Sequence, residues 1–395
     1  MRFYILMFCI AGYLCSCKKA QILPSQDISA LSPWTDSSSS HPKNAIFLAL
    51  LEKYRKKGLP GISLLVRDHS GTWFGSTGKA DLSSNISFHP GTISKAASIT
   101  KMLIGTLVFK LMEDSLHSGM GYNALNKKIS DWLPSGVVSK LPNGAAITLG
   151  QCLRHETGIP DIIEQDKFYL AVLNEPNKKW KPEELLSFIY GLPPLFRPSD
   201  TAIYSNTNFI LVAMVIEAQT GKNHSDLLRQ YVLAPLGMND TYYQWHDQLP
   251  PAVAQGYFDL YNNNTIVNVS NLVTGSGNGY GGVYSNLFDL YKFADAFFFR
   301  QTLLSTSSLN RMMQVGTTDG TNRYGFGIQK SFIERNTDFG WGHKGRDVGY
   351  SANLFYFPAK GVLHIFFINY GTDSKSNLRQ VFYDFQDELL QVTLN

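Results

Sequence analysis

Apolar residues recur at three- and four-residue steps behind residue 98, and this period predicts a helix with one buried face. The recurring positions are Ile99, Met102, Leu103, Leu107, Val108, Leu111 and Met112. Helical periods also occupy other parts of the chain, at 43–57, 207–219, 286–300 and 376–392. The chain therefore carries predicted helices near both ends and through its middle.

Short runs of aromatic and aliphatic residues predict strands at both ends of the chain. Residues 61–67 and 72–75 flank a polar turn and predict a β-hairpin. Three later strands are predicted at 324–330, 348–357 and 362–369. Early strands, a long helical middle and late strands imply one antiparallel sheet built from both chain ends. The predicted fold is α/β (α+β): this sheet, flanked by terminal helices, and an all-helical lobe over roughly 85–280.

Composition places the chain among globular proteins, because 44% of its 395 residues are hydrophobic and 13% are aromatic. The net charge of +4 is small and scattered, which argues against a nucleic-acid partner. The nine histidines form no H-E-x-x-H motif, and the cysteines form no paired C-x-x-C sites. We therefore expect no metal and no cofactor, and a lone buried thiol at Cys152.

The first 17 residues predict export. One basic residue precedes an apolar run too short to span a membrane comfortably, and the run ends at Cys17 before two lysines. This segment resembles a bacterial lipoprotein signal, which implies lipidation of Cys17, although Cys15 stands where a small residue is usual. A cleaved secretory signal and an uncleaved anchor are the alternatives, and both export the protein. Residues 18–42 predict a flexible tether, and 43–395 predict the folded domain.

Ser98 and Lys101 form an S-x-x-K motif in the first turn of the predicted helix that follows residue 98. Three residues of separation place the hydroxyl and the amine on the same side of the helix, where the first backbone N–H groups point outward. This arrangement suits a serine nucleophile, a lysine base and an oxyanion-stabilising amide. A second S-x-x-K at Ser40–Lys43 shows that the motif occurs by chance, and a first-turn serine beside a solvated lysine is the alternative.

Two further motifs lie at the predicted starts of elements. Tyr204-Ser205-Asn206 precedes the helix predicted at 207–219, and His343-Lys344-Gly345 precedes a predicted strand. Taken alone, Tyr204 also suits a packed turn residue and Asn206 a helix N-cap. The order of the three motifs and their surroundings distinguish them from chance copies.

In this order the motifs resemble those of the serine β-lactamase and penicillin-binding superfamily, in particular the branch of class C β-lactamases, D-alanyl-D-alanine carboxypeptidases and esterases. That branch pairs S-x-x-K with Y-x-N and then K-x-G or H-x-G. Connecting segments are similar too, at 152–161, 197–221, 233–241, 281–297, 324–328 and 342–358. The resemblance covers roughly residues 45–390.

The resemblance implies a role for each motif. Ser98 would attack a carbonyl carbon and form an acyl-enzyme, with Lys101 as base. A free lysine has a pKa near 10.4, so Lys101 must be desolvated or lie near positive charge to act as a base at neutral pH. Tyr204 would carry the serine proton toward the leaving group.

The resemblance also implies a substrate-binding set. Asn206 would bind the substrate amide and steady Lys101, and the backbone N–H groups of Ser98 and Arg346 would form the oxyanion hole. His343 and Gly345 belong to the third motif, which begins with histidine as in the peptidase and esterase members. Lys344 stands where a small hydroxyl residue that recognises a substrate carboxylate is usual, and this is a departure from the pattern of the family.

These implications predict an exported, membrane-anchored lipoprotein of the bacterial periplasm or cell envelope. It would be a monomeric serine hydrolase that acts on β-lactam, D-Ala-D-Ala peptide or ester substrates, including peptides of the peptidoglycan type. The alternative is a non-catalytic ligand sensor with a penicillin-binding-like fold. The presence of Ser98, Lys101 and Tyr204 together favours the enzyme.

Overall fold

The computed structural model describes residues 22, 24–27, 33–317, 323–372 and 376–395. Its main layer is an eight-stranded antiparallel sheet in the order β3-β2-β1-β13-β12-β11-β10-β9. Its early strands are β1 Gly61–Asp68, β2 Gly71–Asp81 and β3 Ile86–Ser87. Its late strands are β9 Arg323–Tyr324, β10 Gln329–Ser331, β11 Gly340–Asp347, β12 Tyr350–Phe357 and β13 Val362–Ile368. The first and last strands of the chain thus meet at the centre of one sheet, as predicted.

The central strands are apolar on both faces because both faces are covered. Ile62 and Leu64 of β1 pack in a core with residues of the helices α1 Asn44–Lys56 and α12 Arg379–Leu394. Leu65, the next residue along β1, belongs to the larger core on the opposite face. All seven residues of β13 are buried. A strand that is covered on both faces is stabilised by apolar residues at consecutive positions. The alternation of apolar and polar residues that is typical of a half-exposed strand is therefore absent there.

The middle of the chain is mainly helical. Its longer helices are α2 Ile99–Glu113, α6 Asp166–Asn174 and α8 Thr207–Thr220. Short helices lie between and after them, at α3 Ser115–Ser118, α4 Ser135–Val138, α5 Leu149–Leu153, α7 Pro182–Leu186 and α9 His224–Leu228. Nearly every residue of α2 is buried, which makes it a central helix rather than an amphipathic surface one. The prediction of a single buried face on this helix was therefore too narrow.

The segment after the helical middle returns to the sheet. It contains α10 Leu287–Ala294 and α11 Thr306–Met312. Two small sheets that the sequence did not predict lie apart from the main layer. One contains β4 Ser94–Lys95, β5 Tyr242–Tyr243 and β8 Val283–Ser285, and the other contains β6 Tyr257–Phe258 and β7 Val267–Asn268. The first of these joins residues directly before Ser98 to the middle of the chain.

Two sequence expectations concern cysteine and the membrane. Cys152 is buried, as expected. Cys17 lies outside the described residues, as do the signal segment and part of the tether, so these remain predictions. Within the described ranges, no helix combines the length and apolar character needed to cross a membrane.

Candidate active site

Ser98 lies at the start of α2, where a sharp turn presents it. Ala97, directly before it, has a φ of 48°, in the left-handed region that non-glycine residues rarely adopt. The backbone N–H of Ala96 donates to the carbonyl of Val283 in β8 at 2.8 Å. On its other side the turn touches β11, because a Cβ added to Gly345 would lie 2.1 Å from the Ala96 carbonyl oxygen. Contacts from two strands therefore hold the turn that carries the Ser98 hydroxyl.

Lys101 is fully buried, and its amine reaches three oxygens. Nζ lies 2.9 Å from Ser98 Oγ, 2.7 Å from Asn206 Oδ1 and 2.6 Å from the carbonyl oxygen of Tyr280. A buried amine needs such partners, because an unpaired one would lose its hydration without compensation. The alternative of a solvated helix lysine is thus wrong, and Lys101 contacts the Ser98 hydroxyl directly.

Tyr204 lies beside this pair. The centroid of its ring is 4.9 Å from Lys101 Nζ. His155 packs against the same ring with a centroid distance of 4.5 Å, and Tyr324 and His343 each lie at 6.1 Å. These aromatic neighbours restrict the orientation of the ring. The second motif therefore meets the first in space, together with the third.

Asn206 is oriented by a residue that the sequence analysis did not single out. Asp161 Oδ2 accepts hydrogen bonds from both the backbone N–H and the side-chain Nδ2 of Asn206, each at 2.9 Å. This leaves Asn206 Oδ1 to face Lys101. Asn206 does precede α8, but its side chain makes no capping bond, so the N-cap alternative is wrong. Asp161 closes the segment 152–161, whose similarity to the family gave no role to its last residue.

Asp161 is buried, and burial raises the pKa of its carboxyl group to about 6. Hydrogen bonds from Asn206 and Ile163 and the positive charge of Lys101 oppose that rise. The charge of the carboxylate thus depends on pH within a range where enzymes operate. Because Asp161 holds Asn206, and Asn206 holds Lys101, this charge is linked to the position of the amine.

The third motif lies within β11, and the prediction that it precedes a strand is wrong. His343 is buried, and burial together with the charge of Lys101 lowers the pKa of its imidazole well below the usual value. The neutral ring donates through Nδ1 to the carbonyl of Lys344 at 2.7 Å. Because the His343 imidazole stays neutral, histidine at this position places no further positive charge beside the Lys101 amine.

Arg346 directs its side chain and its backbone to different places. Its guanidinium donates to Ala352 O at 2.7 Å and to Asn353 Oδ1 at 2.9 Å, and lies 4.5 Å from the centroid of the Phe382 ring on α12. The side chain is thus anchored in the sheet.

The backbone of β11 is not paired with β10 along the third motif. β10 pairs with β11 only from Gly340 to Gly342. Beyond that point the N–H of Lys344 points away from β12, toward Gln329 Oε1 at 3.3 Å. Backbone N–H groups two residues apart in a strand share a direction, so the N–H of Arg346 also points away from β12. The strand therefore offers a donor next to the turn that carries Ser98.

A cleft of about 840 Å³ lies over these groups. Ser98, Tyr204 and Asn206 line it, together with Lys344 and Arg346 of β11. Lys101 and His343 are buried and do not line the cleft. The described residues hold no group of three or more His, Cys, Asp or Glu side chains placed to bind a metal. The cleft thus brings the three motifs into one solvent-accessible site.

The carbonyl of Tyr280 was missed by the sequence analysis because it acts through its backbone, which no side-chain motif reveals. A buried network holds the loop that carries it. The N–H of Gly279 donates to the Tyr243 hydroxyl at 2.9 Å, and that hydroxyl lies 3.1 Å from His224 Nε2. His224 Nδ1 is 2.6 Å from Glu217 Oε1. This network fixes the loop beneath the Lys101 amine.

Comparison with known proteins agrees with this arrangement. The protein-family model described as Beta-lactamase matches residues 47–384. The chain belongs to the beta-lactamase family. It therefore belongs with the serine hydrolases of the β-lactamase and penicillin-binding superfamily, as its motifs predicted.

Curated relatives of this beta-lactamase family member include peptidases and penicillin-binding proteins. The D-alanyl-D-alanine-carboxypeptidase/endopeptidase AmpH of Escherichia coli (strain K12) is 27% identical over 47% of this chain and 46% of its own. Penicillin-binding protein 4* of Bacillus subtilis (strain 168) is 24% identical over 75% of this chain and 62% of its own. The matched region thus spans less than two thirds of each relative.

Solved structures confirm the fold class. The D-stereospecific amidohydrolase from Streptomyces sp. is 26% identical, with a TM-score of 0.73 over 86% of this chain and 98% of its own. The D-amino acid amidase from Ochrobactrum anthropi SV3 is 24% identical, with a TM-score of 0.76 over 88% of this chain and 97% of its own. The sheet with flanking helices and a helical lobe is therefore the arrangement of the β-lactamase superfamily.

Proposed function

We propose that this protein is an exported serine hydrolase that forms an acyl-enzyme through Ser98 on β-lactam, D-Ala-D-Ala peptide or ester substrates. One observation carries the proposal: the fully buried Lys101 amine lies 2.9 Å from the Ser98 hydroxyl oxygen. This distance allows direct proton transfer from the hydroxyl to the amine. The relatives named above include a D-Ala-D-Ala peptidase, which supports the class of substrate.

The partners of Lys101 can hold its amine in either protonation state. A neutral amine has two N–H donors and one lone pair, whereas an ammonium has three donors and none. Asn206 Oδ1 and the Tyr280 carbonyl can only accept, so they take the two N–H bonds. The lone pair then remains for the proton of the Ser98 hydroxyl. The same three contacts also hold the ammonium after transfer, so the amine need not move during the reaction.

The reaction would proceed in two halves. Ser98 Oγ attacks the carbonyl carbon as its proton passes to Lys101, and the backbone N–H groups of Ser98 and Arg346 stabilise the oxyanion. Each such donor contributes about 3 kcal/mol in comparable sites. Tyr204 relays that proton from Lys101 to the leaving group, so the scissile bond breaks, the acyl-enzyme forms and Lys101 is neutral again. A water molecule then attacks the acyl carbonyl and gives its proton to Lys101 by way of Tyr204, and return of that proton to Ser98 Oγ releases the acid and restores the enzyme.

A labelling experiment tests the proposal and separates the substrate classes. The domain from residue 18 onward is incubated with a fluorescent penicillin, and the same preparation is assayed with a p-nitrophenyl ester. Covalent labelling that is absent in Ser98→Ala indicates peptidase or β-lactamase recognition, and ester turnover without labelling indicates an esterase. Absence of both, in a folded protein, would contradict the enzyme and leave the ligand sensor.

The export half of the proposal rests on the N-terminal segment. Residues 1–17 resemble a lipoprotein signal, and lipid on Cys17 would hold the hydrolase at a membrane surface in the cell envelope. A single acyl chain gives marginal binding, whereas several chains on one cysteine give stable anchoring. Substrates of the peptidoglycan type would lie within reach of a domain tethered in this way.

A further inference from the structure

A buried ion pair joins the segment that carries Ser98 to the strand that carries Arg346. Lys95, the last residue of β4, directly precedes the Ala96–Ser98 turn, and Asp347 is the last residue of β11. Lys95 Nζ lies 2.7 Å from Asp347 Oδ2, and the two side chains are 2% and 9% exposed. Asp347 also lines the cleft. The proposed reaction gives this pair no role, although its two partners stand next to the segments that supply the oxyanion donors.

The surroundings of both side chains fix the geometry of the pair. The ring centroids of Tyr284 in β8 and Tyr350 in β12 each lie 5.8 Å from Lys95 Nζ, and aromatic faces attract a cation. On the acidic side, Asp347 Oδ1 accepts from Thr274 Oγ1 at 2.9 Å and from the backbone N–H of the next residue at 2.8 Å. Charges withdrawn from water are unfavourable without such partners, so each of these contacts opposes a shift of the pair.

The ion pair and the close approach at Gly345 lie on the same face of β11. Gly345 and Asp347 are two residues apart in this strand, so their side-chain positions point to one face of the sheet. At Gly345 the strand touches the carbonyl of Ala96, and at Asp347 it binds Lys95. Arg346 lies between these two contacts. Its backbone therefore cannot move away from the turn that carries the nucleophile unless one of the contacts breaks.

We infer that Lys95 and Asp347 are positioning residues of the oxyanion hole, because their ion pair sets the separation between the backbone N–H groups of Ser98 and Arg346. The inference rests on the proposed function, which assigns these two donors. An oxyanion is stabilised by both donors only when each lies about 3 Å from the place that it occupies. The pair acts through the backbone, and its effect is largest in the transition state, where the negative charge develops.

The test removes the ion pair with and without leaving a buried charge. Lys95→Met and Asp347→Asn each leave one charged partner, whereas the double variant Lys95→Met/Asp347→Asn leaves neither, and its asparagine keeps an oxygen for Thr274. Three quantities are measured: the rate constant of Ser98 acylation at saturating probe, the probe concentration that gives half of that rate, and the free energy of unfolding in urea. The probe is a fluorescent penicillin, or p-nitrophenyl acetate if penicillin does not label the wild type.

We expect each single variant to be less stable than the wild type, because it leaves one buried charge unpaired, and the double variant to regain much of that stability. The acylation rate constant should nevertheless fall by about 10- to 100-fold in the double variant, since small displacements of a catalytic group have effects of this size. The half-saturating concentration should stay within about twofold, because the lost interaction is made in the transition state.

The matched control is Arg67→Met/Asp295→Asn, which removes an ion pair whose partners do not line the cleft. Its acylation rate constant should stay within about twofold of the wild type. A wild-type rate constant in Lys95→Met/Asp347→Asn would overturn the inference, because recovery together with stability indicates a purely structural pair. An equal loss in the control, or a change confined to the half-saturating concentration, would also overturn it. A wild type that neither probe acylates at Ser98 would instead contradict the proposed function.

Discussion

The Lys101 amine is buried, and hydrogen bonds to its neighbours replace the hydration that it loses. A buried charge without partners is strongly unfavourable, and a lysine in such a place loses its proton unless contacts hold it. Here the amide oxygen of Asn206 and the carbonyl of Tyr280 fix two of its directions. The third direction points at Ser98 Oγ. The side chain is thus held for proton transfer before a substrate arrives, as efficient catalysis requires.

A substitution at this position distinguishes a base from a fixed charge. Lys101→Arg keeps a positive charge but removes the base, because a guanidinium stays protonated at any relevant pH. We expect acylation of Ser98 to slow by about 10²- to 10⁴-fold in Lys101→Arg and in Lys101→Ala alike. Stopped-flow labelling with the active substrate measures the rate. Substantial recovery in the arginine variant would show that Lys101 supplies only charge.

Asp161 gives the folded protein a defined dependence on pH. Burial raises the pKa of its carboxyl group to about 6, above the usual value of 3.8. Between those values the folded state binds more protons than the unfolded state, so the contribution of this group to stability falls as pH rises.

We therefore compare the wild type with Asp161→Asn, which cannot ionise. The difference in free energy of unfolding, wild type minus variant, should decrease by about 2 kcal/mol from pH 4 to pH 6 and level off near pH 7. Urea unfolding at pH 4, 5, 6 and 7 measures it. A difference that grows over the same interval would show that the pKa of Asp161 is lowered in the folded protein.

At the scale of elements, the site depends on a strand lying unusually close to a helix start. The Ala96–Ser98 turn and β11 meet at Gly345, where no space exists for a side chain. β11 is not paired with β10 there, because that pairing ends at Gly342. The close approach places the N–H of Arg346 near the turn that carries Ser98. Glycine is thus required at position 345, because a larger residue would push β11 and the Ala96–Ser98 turn apart.

Gly345→Ala tests that requirement. The new Cβ would lie 2.1 Å from the Ala96 carbonyl oxygen, so strand and turn must move apart. A misplacement of about 1 Å can reduce rates by about 10²-fold, and we expect a loss of that size in Ser98 acylation. Gly136→Ala is the control, since the space around Gly136 is open. If Gly345→Ala acylates at the wild-type rate, the oxyanion role of Arg346 is wrong.

At the scale of the whole molecule, the site joins parts of the chain that are far apart in sequence. β1 and β13 pair at the centre of the sheet, with Leu64 opposite Phe366. The sheet therefore cannot be completed before the last strands are available. Pairings of this kind require the closure of long loops, which favours slower folding. The complete domain, from α1 to α12, is the unit that positions Ser98.

Membrane attachment is a property of the whole protein that its N-terminal segment would confer. Cys17 is the predicted site of lipidation, so Cys17→Ala should move the protein from the membrane fraction to the soluble fraction of bacterial cells. Immunoblotting of the separated fractions measures the distribution, and Cys152→Ala is a control with the same chemical change at a buried thiol. Retention of Cys17→Ala in the membrane fraction would favour an uncleaved anchor.

Much of the fold was predictable because it follows from local patterns. The hairpin at 61–75, the strands at 348–357 and 362–369 and the terminal helices appear close to where the periods of two and 3.6 residues placed them. The single strand predicted at 324–330 is wrong, because the structure has two short strands there, β9 and β10, and β11 was not predicted. The small strands β4, β5 and β8 were not predictable, because two- and three-residue strands contain too few residues to show a period. Their pairing depends on the residues that tertiary packing places opposite them.

The sequence by itself determined the residues that carry the proposed chemistry, since Ser98, Lys101, Tyr204 and His343 stand in motifs that depend on short spacing. Only the tertiary structure revealed what surrounds them. Asp161 and the Tyr280 carbonyl contact the site from loops, and no local spacing connects a loop residue or a backbone oxygen to an amine more than 50 residues away. Burial decided the rest: the same lysine in a solvated helix would face water, whereas the fold places its amine out of solvent and in contact with Ser98 Oγ.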